Sequence, residues 1–127
     1  MAFKPGGYST VSPYLIVEGA AATIAFLQRV FAAVEIRRIV DDDGSVRHGE
    51  VRMGECVVML ADQIPPEWPS VASHVHVYVA DVDATYRVAL EAGAVSIQEP
   101  VRKEDEDKRG GVKDPGGTTW WISTRVE

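Results

Sequence analysis

Asp114-Pro115-Gly116-Gly117-Thr118-Thr119-Trp120-Trp121-Ile122-Ser123-Thr124 reads as a tight turn that feeds a strand. Proline presets φ for the turn, and the two glycines can take the positive φ that a sharp reversal needs. The run that follows is β-branched and aromatic, which suits a pleated, half-buried surface. Strand alternation places Trp120 and Ile122 on one face and Thr119, Trp121 and Ser123 on the other. A tryptophan on each face predicts that both faces are covered, one by a helix and the other by the wall of a cavity.

Upstream of this turn, His74-Val75-His76-Val77-Tyr78-Val79 alternates cleanly, with valines on one side and His74, His76 and Tyr78 on the other. Asp81 or Asp83 can cap a helix that carries Val82, Tyr86, Ala89 and Leu90 at helical spacing and stops at Gly93. Val95-Ser96-Ile97 reads as a strand, Pro100 to Arg109 as a charged, solvated loop, and Gly110 to Lys113 as a short strand.

The first half follows the same grammar. Tyr14 to Val17 is a strand. Ala20, Ile24, Leu27 and Phe31 fall at helical spacing, and the helix ends near Ala32 or Ala33. Strands over 34–40, 46–53 and 56–60 follow. Asp41 to Ser45 is a turn, and Gly54-Glu55 a two-residue hairpin turn of type II′. Gln63 to Ser73 holds Pro65, Pro66 and Pro69 and reads as a linker, with Trp68 packed on a neighbouring surface.

Ala33-Val34-Glu35-Ile36 is echoed by Ala94-Val95-Ser96-Ile97, Val51-Arg52 by Val112-Lys113, Met59-Leu60 by Trp121-Ile122, and Val17 by Val79, at nearly constant spacing. The chain is therefore an internal duplication: a first βαβββ module over 8–62, a linker over 63–73 and a second module over 74–127. The expected fold class is α+β. Two such modules form a curved mixed sheet around a central cleft, with the helices outside.

Composition narrows the functions. A chain of 127 residues with 46% hydrophobic and 25% charged residues suits one domain with a real core. A net charge of −6 argues against nucleic acid and against an anionic membrane. Cys56 is the lone cysteine, so no internal disulfide forms. No apolar run approaches a membrane span, and the N-terminus lacks the apolar core of a signal peptide. These features predict a cytoplasmic protein.

The duplicated unit, closed by an Asp-Pro-x-Gly-x-x-Trp turn and strand, resembles the glyoxalase/bleomycin-resistance/dioxygenase superfamily, also called vicinal oxygen chelate proteins. The resemblance runs from about Tyr8 to Val126. Arg47-His48-Gly49-Glu50-Val51-Arg52-Met53-Gly54, Val58-Met59-Leu60-Ala61-Asp62 and 110–122 look like its PhnB-like subgroup, with Gly116 standing where a phenylalanine or an acidic residue is common. The family's metal enzymes take four ligands, from the first and last strands of each module. Carried over by position, these are Ser12, Met59, His74 and Trp121. Only His74 is a good ligand for a divalent cation, and Trp121 cannot ligate. The resemblance therefore implies a member without the metal site. No cofactor is expected, and a divalent metal held by His48, His76 and Glu50 is the runner-up.

The same carry-over turns His74, His76, Tyr78 and Trp121 into the cleft. With Gly54-Glu55 as the turn, Met59 lies opposite Glu50 and Val57 opposite Arg52. His48, Glu50 and Arg52 then share the cleft face with Met59, while Val51, Met53, Val58 and Leu60, with Cys56 as a small core residue, lie under the helix. Two functions fit. One is a protein binding a small, partly aromatic or apolar molecule. The other is a lyase, isomerase or dioxygenase that uses His74 and Glu50, with burial raising the pKa of Glu50 so that it acts as a base. Superfamily members usually pair two-fold, which predicts a homodimer.

Overall fold

The structure is a computed structural model that describes residues 3–104 and 107–126. β1 (Tyr14–Val17), α1 (Ala20–Phe31), β2 (Val34–Val40), β3 (Val46–Met53) and β4 (Cys56–Asp62) form the first module. β5 (His74–Tyr78), α2 (Val82–Glu91), β6 (Val95–Arg102), β7 (Asp107–Lys113) and β8 (Thr119–Arg125) form the second. Each module is a four-stranded mixed sheet, ordered β1-β4-β3-β2 and β5-β8-β7-β6. In both, the first strand runs parallel to the last and the other pairings are antiparallel.

The expected hairpin register holds. Glu50 faces Met59 and Arg52 faces Val57, with Gly54 at φ 59° in the turn. The duplication also reaches the helix starts. Asp62, three residues beyond Met59, accepts the N–H of Ala20 at 2.8 Å and that of Val46 at 2.7 Å. Thr124, three residues beyond Trp121, accepts the N–H of Val82 at 2.8 Å and donates to the Val79 carbonyl. Gly19 offers α1 no side-chain cap, so the Asp62 carboxylate supplies one from the neighbouring strand, where the helix dipole favours an anion. At α2, Asp81 caps the N–H of Ala84 as the sequence suggests.

One hydrophobic core serves both modules. Ile24, Phe26, Leu27 and Val30 of α1 meet Leu15, Val51, Val58 and Leu60 of the first sheet. The same cluster continues into Val82, Ala89, Val112, Trp120 and Ile122 of the second. Trp120 is fully buried, its ring 5.4 Å from that of Phe31 between centroids. Its indole N–H donates to Asp114 Oδ2 at 2.7 Å, while Asp114 Oδ1 accepts the N–H groups of Gly116 and Thr118. The Asp-Pro-Gly-Gly turn thus closes around a buried carboxylate and lies against the first module. A Cβ at Gly116 would sit 2.4 Å from Thr23 Oγ1 and 3.2 Å from Val17 Cβ, which explains why this position carries no side chain.

Three expectations need correction. The stretch Pro100 to Arg109, expected as a loop, lies largely in two paired strands, because β6 runs on to Arg102 and β7 begins at Asp107. Asp105 and Glu106 lie outside the described residues. Pro100 is tolerated because β6 is an edge strand with an irregular register between Gln98 and Val101. Cys56 is exposed, since it follows the hairpin turn directly and pairs with Met53 at the end of the ladder. Trp68 is 63% exposed. The linker is held through its backbone instead: the N–H groups of Gln63 and Val71 donate to the carbonyls of Val17 and Ile16 on the edge strand β1.

Trp120→Ala is expected to lower unfolding free energy by about 3–5 kcal/mol, as truncated core aromatics do. Gly116→Ala should cost about 1–3 kcal/mol through overpacking against Thr23. Combining it with Thr23→Ala should return part of that loss. Urea denaturation of the single and double variants checks the coupling.

Candidate functional site

Each sheet carries its helix on one face and leaves the other open. A Cβ on Gly49 would meet Ile24 and Leu60, so Gly49 points to the helix side. Alternation then places His48, Glu50 and Arg52 on the open face of the first module, with Met59 and Ala61 of β4 and Tyr14 and Ile16 of β1 beside them.

This face is a chain of hydrogen bonds. The Tyr14 hydroxyl meets His48 Nδ1 at 2.9 Å, and His48 Nε2 meets Glu50 Oε2 at 2.7 Å. The Tyr8 hydroxyl donates to Glu50 Oε1. Tyr8 comes from the N-terminal segment, which crosses the face. Arg52 donates to the Gly7 carbonyl at 3.3 Å, and the Val57 N–H donates to Ser9 Oγ at 3.3 Å. Glu50 is left only 4% exposed. Burial pushes its carboxyl up, but hydrogen bonds from Tyr8 and His48, with the charges of His48 and Arg37 behind them, outweigh burial and hold it below the usual glutamate value. The expected raised pKa is therefore corrected, because a buried carboxylate given two donors is stabilised as the anion. Tyr8 responds in the opposite sense: its hydrogen bond to Glu50 is the foremost cause that raises its phenol.

The open face of the second module is built on β8 and β7. Ser123 Oγ meets His76 Nε2 at 2.9 Å and accepts Arg109 Nε–H at 2.9 Å. Arg109 pairs with Asp107 at 3.1 Å, and Asp107 accepts the Tyr78 hydroxyl at 2.8 Å. Burial foremost, and then the Arg109 charge, lower the His76 pKa, with Asp107 opposing them. The Trp121 ring lies against the backbone of Gly111, where a Cβ would come within 2.6 Å of it. Its indole N–H donates to His74 Nδ1 at 3.0 Å, and the two rings are nearly parallel. Trp121, His76 and Arg109, with Gln98, Lys103, Val101 and Asp107, line a cavity of about 390 Å³.

All the residues expected in the cleft thus lie on the open faces, but they fall into two sets. His48, Glu50, Arg52 and Met59 belong to the first module. His74, His76, Tyr78 and Trp121 belong to the second, with Tyr78 64% exposed at its margin. His74 and Glu50 stand in separate hydrogen-bond networks and do not form a pair. Tyr8 and Tyr14 escaped the sequence reading. Tyr14 was legible as a β1 residue facing away from the helix, whereas Tyr8 precedes every periodic segment.

The sequence profile described as the Glyoxalase/Bleomycin resistance protein/Dioxygenase superfamily matches residues 9–122. The chain belongs to this superfamily. An uncharacterized protein of Mycobacterium bovis is 33% identical over 129 residues, a match covering 91% of this chain and 83% of the relative. Among solved structures, TioX from Micromonospora sp. ML1 superposes with a TM-score of 0.76 at 24% identity, over 93% of this chain and 99% of the other. A PhnB protein from Bacillus cereus gives 0.75 at 16% identity, over 91% and 99%. These structures share the fold.

The superfamily's metal chemistry can be tested against the donors present. Among the described residues, no group of three His, Cys, Asp or Glu side chains is placed to hold a metal ion. His76 lies in the Ser123 network, away from the His48–Glu50 pair. Ser12 Oγ is 3.2 Å from Ser9 Oγ, and Trp121 offers no lone pair. His74 Nδ1 already accepts the indole N–H, which puts the proton of a neutral His74 on Nε2 and leaves neither nitrogen free to ligate. The residues do not fit a divalent metal.

Glu50→Gln is expected to destabilise the fold on the order of 1–3 kcal/mol at neutral pH, because it disturbs two hydrogen bonds to a buried anion. A lowered carboxyl pKa contributes stability that is complete above the ordinary glutamate value, about 4.3, and is lost as pH falls through the lowered value. The gap between wild type and variant should therefore narrow below about pH 4. Urea unfolding across that range checks it.

Proposed function

We propose that the chain is a small-molecule-binding member of the superfamily that works without a divalent metal and takes a planar, partly aromatic or apolar ligand on the indole of Trp121. The observation that carries this reading is the replacement of a ligand position by an aromatic surface. By the family resemblance Trp121 takes a position where the metal enzymes carry a donor, and Gly111 leaves it room to lie flat. Around it, His76, Gln98, Arg109 and Lys103 offer polar groups to orient a guest, the usual composition of such a site. The alternative of a lyase, isomerase or dioxygenase has less support. His74 and Glu50 sit on different sheets, and a carboxyl with a lowered pKa is a weak base.

The two open faces belong to separate sheets, and the cavity at Trp121 is lined from the second module alone. A homodimer would bring further wall to each face, and this is the assembly we infer.

Trp121→Ala should weaken binding of planar ligands in a fluorescence or calorimetric screen, since the lost aromatic surface contributes about 0.5–1.5 kcal/mol beyond its area. It should cost less stability than Trp120→Ala. If Trp121→Ala is the more destabilising and Trp120→Ala the more damaging to binding, the assignment of faces is wrong. Protein purified without added metal should carry no stoichiometric Zn, Ni or Fe; metal that is lost in His74→Ala would overturn the metal-free reading. Light scattering at micromolar concentration should give the dimer mass.

A further inference from the structure

A second cavity, of about 530 Å³, opens on the first module beneath the linker. Its wall is Tyr14 and Ile16 of β1, Ala61 of β4, and Ile64 and Trp68 of the linker, with Arg47 at the rim. Tyr14, Ile64 and Trp68 are each at least half exposed, an unusual concentration of apolar surface for a linker. The turn from Ile64 to Trp68 is closed by two backbone hydrogen bonds, of 2.6 and 2.7 Å, which hold the indole-bearing segment in place. Asp62 is committed through both oxygens to the N–H groups of Ala20 and Val46, and Arg47 faces Asp41 at 3.8 Å. Besides the exposed Arg47 guanidinium at the rim, the polar group set among the apolar residues of the wall is the Tyr14 hydroxyl.

The polarity of that hydroxyl follows from the form of its partner His48. Glu50 is a buried carboxylate, so the His48 nitrogen facing it, Nε2, carries the ring proton. In its neutral form, reached at alkaline pH, His48 presents a bare Nδ1, and the Tyr14 hydroxyl donates its proton there. The phenol oxygen then has only lone pairs to offer the cavity. It accepts a hydrogen bond and cannot give one. Tyr8 supports the arrangement from the far side by holding the other Glu50 oxygen.

We propose that this cavity is a binding site for a flat apolar molecule bearing a hydroxyl or N–H donor, with Tyr14 as the acceptor that selects it and Trp68 as the surface it lies on. The site is separate from the cavity at Trp121 and does not depend on what that cavity binds.

The matched probes are 2-naphthol and 2-methoxynaphthalene, alike in shape but differing in the donor. Calorimetry at mildly alkaline pH, with His48 neutral, should show wild type preferring naphthol by about three- to tenfold, the worth of one net hydrogen bond. Tyr14→Phe should abolish that preference while leaving the ether's affinity unchanged. His48→Ala should reduce or reverse it, because the released phenol proton can then be given to the ether oxygen. Trp68→Ala should weaken both probes, and Trp121→Ala should alter neither, so a failure of the Trp121 reading leaves this test intact. The proposal is overturned if naphthol does not bind at millimolar concentration, or if Tyr14→Phe keeps the preference. It is also overturned if Trp68→Ala changes only the oligomeric mass, which would assign the surface to a second copy of the chain.

Discussion

The buried carboxylate of Asp114 is the constraint from which the arrangement follows. An anion removed from water is tolerable only when its oxygens are satisfied, and here two backbone N–H groups and an indole N–H satisfy them. The backbone donors fix the turn. The indole donor fixes which tryptophan of the pair goes inward. Once Trp120 is held under Phe31, alternation leaves Trp121 no choice but the open face. The same turn presses Gly116 against Thr23, so the loop that orients the last strand also docks one module on the other.

Most of the fold was legible because it rests on periodicity. The helical spacing of Ala20, Ile24, Leu27 and Phe31, the alternation through His74 to Val79 and the echo between halves are local signals, and the folded chain uses them as read. The two-residue turn at Gly54 gave the ladder register, and with it the face occupied by His48, Glu50 and Arg52. What local pattern cannot carry is the relation between faces. The residues assigned to the cleft lie on the open faces of two sheets, and the side-chain direction of a strand says nothing about how those faces are set against each other. The pKa of Glu50 was misjudged for a related reason: its donors include Tyr8, more than forty residues away in a segment with no periodicity at all. The charge of 100–109 misled because an edge strand can carry charged residues to solvent, and edge position is a property of the assembled sheet.

The two modules show how one duplicated frame acquires two chemistries. By register, Glu50 faces Met59 in the first module and Gly111 faces Trp121 in the second. Where the first module carries an anion, its face becomes an ordered chain of hydrogen bonds covered by the N-terminal segment. Where the second carries no side chain, the indole drops onto bare backbone and the face becomes an aromatic floor. The switch between ionic and aromatic character turns on one pair of facing positions.

The shared core has a consequence for how copies of this chain can associate. Exchanging modules between two chains would require each to part Phe31 from Trp120 and Gly116 from Thr23 first, opening a buried seam between the modules. The linker is no loose hinge either, since its backbone is tied to β1 at both Gln63 and Val71. The barrier to swapping therefore includes the opening of that buried seam. Two copies that kept this seam closed would meet as finished bodies, and their encounter would be set by diffusion and surface fit rather than by the slow opening of a fold.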